Sequence, residues 1–330
     1  IFDMTITGGN ATGYPDDDGG GFLLTNEAFL QLFRATVSGN TAHRGGGILV
    51  RDGSQLSVSH STISGNTALG DGGGILNDGG TGGGIHIEHS TISGNLAHGS
   101  GGGISVERHL SLMYSTVAFN TAHQEAGGID FLNPTTVVYA SVVANNTITS
   151  NSTTSNCSQE VGFGLIEGRA NISNDQSCGE LVSTVADPRL APLAHNGGPT
   201  KTHALLAGSP AIDAIAQSDE LCIDILMTDQ RGVSRPQGSG CDIGAFELAA
   251  ADLLEQLIGM SASTPGVSKG TQSKLLDARE HLSKGQLLPA CNKLKQYIDD
   301  VRNQSGKKIA PANADALIAL VTEVRARIGC

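Results

Sequence analysis

The chain has 330 residues, 45 of them glycine, with 10 prolines, no tryptophan and 4% aromatic residues. Glycine stands at about twice its usual share without a Gly-X-Y period, which excludes collagen, and the few prolines exclude a proline-rich disordered chain. Hydrophobic residues at 38% can build a core, but no run of 18 apolar residues offers a transmembrane helix.

Charge divides the chain. Residues 1–250 hold 24 acidic and 9 basic side chains, a net of −15, whereas residues 251–330 hold 8 and 11, a net of +3. Two compositions in one chain of this length predict two domains. The acidic major part argues against nucleic acid as a partner, because phosphate backbones need cations, and solubility is the simpler account of the acidity. The six cysteines fall into three local groups, Cys157/Cys178, Cys222/Cys241 and Cys291/Cys330, without a CxxC metal pattern. Such a layout predicts three disulfides and an oxidising, secreted or cell-surface location. The sequence opens at Ile1 without a signal-peptide pattern, as a mature or a truncated product would, so export is an expectation drawn from the cysteines.

A phrase recurs through the first 150 residues: TITGGN (5–10), TVSGNTAH (36–43), TISGNTAL (62–69), TISGNLAH (91–98), TVAFNTAH (116–123) and VVANNT (142–147). Its asparagines, Asn10, Asn40, Asn66, Asn95, Asn120 and Asn146, are spaced by 30, 26, 29, 25 and 26 residues. Glycines and an apolar residue follow, as in GGGI at 45–48, 72–75 and 101–104. Between them lie three short apolar-alternating stretches, for example Ile48/Val50, Leu56/Val58 and Ile63. Three strands in about 25 residues predict one turn of a parallel β-helix. Aliphatic residues would stack coil on coil, asparagines would form an amide ladder at one corner, and glycines would occupy positive-φ or crowded corners.

These repeats resemble right-handed parallel β-helix proteins of the pectin-lyase-like class, and the GGGI and SGN/AFN phrases are similar to repeats of chlamydial polymorphic outer-membrane proteins. The resemblance covers about residues 1–150 and implies a fold shared by lyases, hydrolases, epimerases and adhesins. Residues 151–247 lose the strict repeat. Their stretches DPRLAPLAHNGGPTKTHALLAGSPAIDA (187–214) and TDQRGVSRPQGSGCDIGAFE (228–247) resemble the choice-of-anchor Q domain of bacterial surface proteins. The resemblance implies a last coil and loop-rich cap stapled by Cys157–Cys178 and Cys222–Cys241. The charged residues Asp229, Arg231, Asp242 and Glu247 are expected to pair within that cap and satisfy buried backbone groups rather than to perform chemistry.

From residue 252 to 330 the apolar spacing turns helical. Leu253, Leu254, Leu257 and Ile258 mark one amphipathic helix, and Leu275, Leu276, Ala278 and Leu282 a second. Leu287, Cys291, Leu294, Ile298 and Val301 mark a third, and Leu317, Leu320, Val321, Val324 and Ile328 a fourth that starts near Pro311. An antiparallel bundle would bring Cys291 to Cys330. The stretch KLLDAREHLSKGQLLPACNKLKQYIDDV (274–301) resembles the FIMAH module of secreted bacterial proteins, which implies attachment rather than catalysis. The expected whole is a mainly-β right-handed parallel β-helix with a disulfide-stapled cap and a small C-terminal α-helical bundle.

Alignment of the coils on their GGG-I phrase stacks candidate side chains about 4.8 Å apart. Asp78, Glu107 and Asp130 are the candidate catalytic carboxylates on one face, flanked by Arg51 and Arg108 as candidate ligand-binding residues. A solvated face of alternating charge is the simpler account of them. A second column, six residues before each asparagine, runs Met4, Arg34, His60, His89, Tyr114, Ala140. His60 and His89 there are candidate ligand or base residues, although repetition of an ancestral coil also explains them. The run Asp16, Asp17, Asp18 is a candidate Ca2+ site without EF-hand spacing. No phosphate loop, GxSxG or HExxH is present. The leading expectation is a secreted or surface-exposed, non-catalytic β-helix protein for adhesion, display or carbohydrate binding, with a polysaccharide or cell-surface component as partner. The alternative is a polysaccharide lyase or glycoside hydrolase, which would need long loops walling a groove. The turns here are short apart from 11–18 and 147–180.

Overall fold

The computed structural model describes residues 1–13, 18–80, 82–132, 135–150, 153–159, 166–223 and 228–330. The chain folds as two compact units, one of 1–205 with 209–247 and one of 206–208 with 248–330.

The first unit is a parallel β-solenoid. One coil consists of strands Ile48–Val50, Gln55–Ser59, Thr62–Ser64 and Thr67–Ala68. The fourth, two-residue strand after the asparagine adds to the three expected. The strands pair in parallel with their counterparts in the next coil, giving sheets of eight, seven, six and six strands, the seven-stranded one ending in an antiparallel pair of Thr147–Ile148 with Thr153–Thr154. The register is uninterrupted, with Ile48 beside Ile75, Ile104 and Ile129, and Leu56 beside Ile85 and Leu110. These residues are 0–1% exposed and form a narrow aliphatic core, which is why few aromatics suffice. One position breaks the pattern. Asn77 lies between Val50 and Val106 in an inward column, fully buried, and neither amide atom has a partner among the described residues.

The asparagine ladder is continuous. Asn95 Nδ2 donates to Ile63 O at 3.0 Å and to Asn120 Oδ1 at 2.9 Å, and Asn95 Oδ1 accepts from Asn66 N and Nδ2. The same pattern runs from Asn40 through Asn66, Asn95, Asn120 and Asn146, and ends on Asn156. Asn10 is not part of it. Thr5 pairs with Thr36 and Asn10 with Thr41, so Gly9 occupies the ladder position and its N–H donates to Asn40 Oδ1. The offset of 31 residues is constant from Phe2–Phe33 to Ala11–Ala42, so glycine replaces the asparagine in TITGGN and Asn10 replaces the threonine after it; Asp3 rather than Met4 therefore stands opposite Arg34 and accepts its guanidinium. A second ladder, of Ser61, Ser90, Ser115 and Ser141, links backbone N–H groups to hydroxyls at the next corner.

Residues 153–159 and 166–185 close the last coil, stapled by Cys157–Cys178. The following loops, stapled by Cys222–Cys241 beside the single helical turn α1 (Glu220–Ile223), do not stop at that end. They return along the flank of the eight-stranded sheet. Thr62 Oγ1 donates to Lys201 O, Thr91 Oγ1 to Gln230 Oε1, and Thr116 Oγ1 accepts from Ala245 N.

The second unit has four helices: α2 (Ala250–Ser263), α3 (Lys269–Ser283), α4 (Leu287–Gln304) and α5 (Pro311–Arg327). Ser268 caps α3 by accepting from Thr271 N, and Pro311 supplies the first residue of α5. The buried face uses Leu253, Leu257, Leu275, Leu294, Tyr297, Val301, Leu317 and Val321. Leu276 and Leu287, expected on it, are 44% and 53% exposed. Cys291 joins Cys330. Three disulfides suit an oxidising, extracellular-type setting. No helix among the described residues is long and apolar enough to cross a membrane.

Removal of a ladder amide leaves buried donors and acceptors open on both neighbouring coils. Asn95→Ala is expected to destabilise the solenoid by roughly 3–5 kcal/mol in urea titrations, and Asn10→Ala by less than about 0.5 kcal/mol. Asn77→Val matches its stacked neighbours and removes an unpaired amide, so it is expected to raise stability by roughly 1–3 kcal/mol in the same measurement.

Candidate functional site

Asp78 and Glu107 occupy equivalent positions of neighbouring coils, at the exits of strands Ile75–Asn77 and Ile104–Val106. Asp78 Oδ2 accepts from Arg44 Nη1 at 2.7 Å. The same guanidinium clamps Asp18 at 2.8 and 3.2 Å, and Arg51 Nη1 also reaches Asp18 at 3.2 Å. Hydrogen bonding to Asp18 raises the Arg44 pKa, so this arginine is a fixed cation. Burial and the charge of Asp78 push the Glu107 carboxyl upward. Arg108 is exposed beside it.

Asp130 is not with them. Its register partners are Ser105 and Ser158, and its column is covered by the glycine corners: a Cβ on Gly101 would lie 2.7 Å from Ser105 Cβ. Asp130 is 2% exposed and accepts from the hydroxyls of Ser105 and Ser158, and burial pushes its pKa up to about 6. Of the Asp16–Asp18 run, Asp16 and Asp17 lie outside the described residues, and Asp18 is committed to its two arginines. Among the described residues no group of three or more His, Cys, Asp or Glu side chains is placed to hold a metal ion.

His60 and His89 do stack. They belong to an aromatic column, Phe2–Phe33–His60–His89–Tyr114, with ring centroids 5.9, 5.3, 5.0 and 5.5 Å apart. Arg34 covers Phe33 near one end, and Arg235 covers Tyr114 at the other. His60, His89 and Tyr114 all have positive φ, which turns the chain at this corner. His89 is fully buried, and neither ring nitrogen has a partner among the described residues. Burial, followed by the Arg235 charge, lowers its pKa to about 3. It therefore serves as a neutral aromatic disc. His60 is also lowered by burial, and its Nδ1 meets Ser59 Oγ at 2.8 Å.

The charged residues of the flank pair internally. Arg231 binds Asp229 at 2.9 Å and lies over Phe246, while Arg235 binds Glu247 at 2.8 Å and two backbone carbonyls. Asp229 and Glu247 also accept backbone N–H groups, and Asp242 accepts from Asp213 N.

A groove on the outer face of the sheet containing Gln55–Ser59 carries no sequence motif. Phe29, Gln55, Gly84 and His109 share one register position in four successive coils. Glycine at position 84 leaves a notch, since a Cβ there would touch His109 Cβ at 3.1 Å. The resulting cavity of about 450 Å³ is lined by Phe29, Gln55, Ser57, His86, His109 and the glycines 82–84. Phe29 is 65% exposed. His86 bonds Glu88 at 3.4 Å, and that bond lowers the Glu88 pKa to about 2 against the opposing effect of burial. Alignment of the second strand of each coil, instead of the GGG-I phrase, would have found these residues.

Fold and disulfides together define a parallel β-solenoid protein of extracellular type. No protein-family model, no curated protein and no solved structure matches the chain.

The buried His89 gives a pH test. An unfolded imidazole takes up a proton below about 6.5, whereas the folded one does so only near 3. Between those values the unfolded state holds more protons. This site therefore removes stability as pH falls, by at most about 1.4 kcal/mol per pH unit. His89→Phe keeps the stack and is expected to lose less stability than the parent between pH 7 and pH 4.5, read as the shift in urea midpoint.

Proposed function

We propose that the chain is an extracellular β-solenoid that binds a neutral polysaccharide or cell-surface glycan, in the service of adhesion or display. The carrying observation is the groove of Phe29, Gln55, His86 and His109, in which one bare aromatic ring stands among polar side chains. A sugar presents an apolar face to a ring and hydroxyls to amides and imidazoles, and such mixed concave sites suit small ligands. His109 Nδ1 donates to Thr135 O at 3.0 Å, which leaves Nε2 as an acceptor for a hydroxyl. The net charge of −15 over residues 1–250 repels polyuronates and other polyanions, so a neutral glycan is favoured. The resemblance of 187–247 to an anchor-type segment, and of the helical tail to an attachment module, supports a surface role.

Titration of the full chain with a panel of neutral and acidic polysaccharides tests this reading. Binding of a neutral glycan is expected, weakened about tenfold or more by Phe29→Ala and by His109→Ala. Equal binding by the parent and both variants, or binding confined to polyanions, would overturn it.

A further inference from the structure

A second concavity, of about 560 Å³, lies where the flanking loops cross the eight-stranded sheet. Its walls are Phe119, Leu190, Pro192 and Leu193, and its floor is Ser64, Gly65, Ser93, Gly94 and His203. Glycines at the sheet corner leave the space open. In the next coil Phe119 takes the same corner at φ 58°, 41% exposed, with its ring 4.9 Å from that of His203. A bulky residue in the left-handed region is uncommon and costs conformational energy.

The polar groups on the floor have a definite polarity. His203 Nδ1 lies 2.7 Å from Ala191 O, and a carbonyl can only accept, so Nδ1 carries the proton. His203 Nε2 is then an unprotonated acceptor, and Ser93 Oγ donates to it at 2.7 Å. Both residues are 3% exposed. Burial lowers the His203 pKa, which keeps the imidazole neutral. Elsewhere on this sheet face, Thr62 and Thr91 meet amide groups of the same loops. Ser93 meets a base.

We propose that Ser93 and His203 form a nucleophile–base dyad, oriented by the Ala191 carbonyl, that hydrolyses neutral carboxylic esters with short acyl chains. Ser93 Oγ would attack the ester carbonyl carbon while its proton passes to His203 Nε2. Collapse of the tetrahedral adduct breaks the ester C–O bond, and the imidazolium returns the proton to the departing alcohol. Water, deprotonated by the same nitrogen, then releases the carboxylic acid and restores the serine hydroxyl. Gly94 follows the nucleophile directly and lines the same cavity, where the absence of a side chain leaves room for the ester beside Ser93. The apolar walls select the acyl chain, and no lysine or arginine lines the cavity to recruit an anionic substrate. A carbonyl in place of a carboxylate stabilises the imidazolium less, so turnover is expected to be slow. Ester hydrolysis here does not depend on glycan binding in the Phe29 groove.

The test treats the full chain with a fluorophosphonate and with p-nitrophenyl acetate and butyrate. Expected are one covalent adduct, mapped by mass spectrometry to Ser93, and ester hydrolysis that falls at least about 100-fold in Ser93→Ala and in His203→Gln. Ser38→Ala, one coil beyond Ser64 in the same register, should label as the parent does. Absence of an adduct on the parent protein, or an adduct at another residue, would overturn the proposal whether or not the variants fold. So would hydrolysis undiminished in a folded Ser93→Ala protein.

Discussion

The asparagine ladder is the constraint from which the solenoid follows. Each interior amide donates to a carbonyl of the coil before it and to the amide of the coil after it, and its oxygen accepts a backbone N–H and an amide N–H. A one-residue slip of any coil would break all of these bonds in a fully buried place, where an open polar group is costly. The ladder thereby fixes the register of the flanking strands, and with it the stacking of Ile63, Ile92 and Val117 on the inner face. It also dictates the glycines. A Cβ on Gly47 would lie 3.0 Å from Asn66 Nδ2 and 2.5 Å from Gly74 O, and Gly74 is equally confined against Asn95 and Gly103. Amide ladder and glycine corner are one device.

With register and interior held by repetition, Asn77 apart, polar variation falls at the outward positions. There the coils differ most: Phe29, Gln55, Gly84 and His109 in one column, Leu76, Ser105 and Asp130 in another. Equivalent register does not mean equivalent environment. The column of Asp130 is roofed by its own glycine corners, so its carboxyl is buried and bonded to serines. The column of Phe29 is open to solvent and can meet a ligand.

The same contrast sets how much of the structure was legible in the sequence. The repeat phrase carried the fold, because a β-solenoid repeats its contacts with its residues, and Asn66, Asn95 and Asn120 stand where their spacing puts them. The cysteine groups bridge locally as their order suggested. The first coil went astray because Gly9 replaces the ladder asparagine and the next residue is itself an asparagine, so counting from Asn10 misplaces the coil by one residue. Asn156, the last rung, was hidden because it follows Asn146 by only ten residues. The candidate carboxylates could be assigned to coils but not to solvent or interior, since depth in the outer layer depends on loops that carry no period. The return of residues 187–223 and 228–247 along the flank was illegible for the same reason.

That flank explains where chemistry could arise on so regular a scaffold. Before the loops cover it, this face of the eight-stranded sheet offers mainly rows of threonine and serine hydroxyls. The aperiodic loops add His203 and the walls of a cavity there, and their position is determined at several coils at once: Thr200 binds His60 O, Gln230 binds Thr62 and Thr91, and Gly244 and Ala245 bind Ala140 and Thr116. The buried pairs Asp229–Arg231 and Arg235–Glu247 hold the same loops in one conformation, a use of ion pairs suited to specificity more than to net stability. An imidazole carried by such loops meets a strand serine at a fixed distance because both ends of the contact are independently held. Rigid support on both sides is what a catalytic or binding pair requires, and in this fold it is met where the aperiodic chain crosses the periodic one.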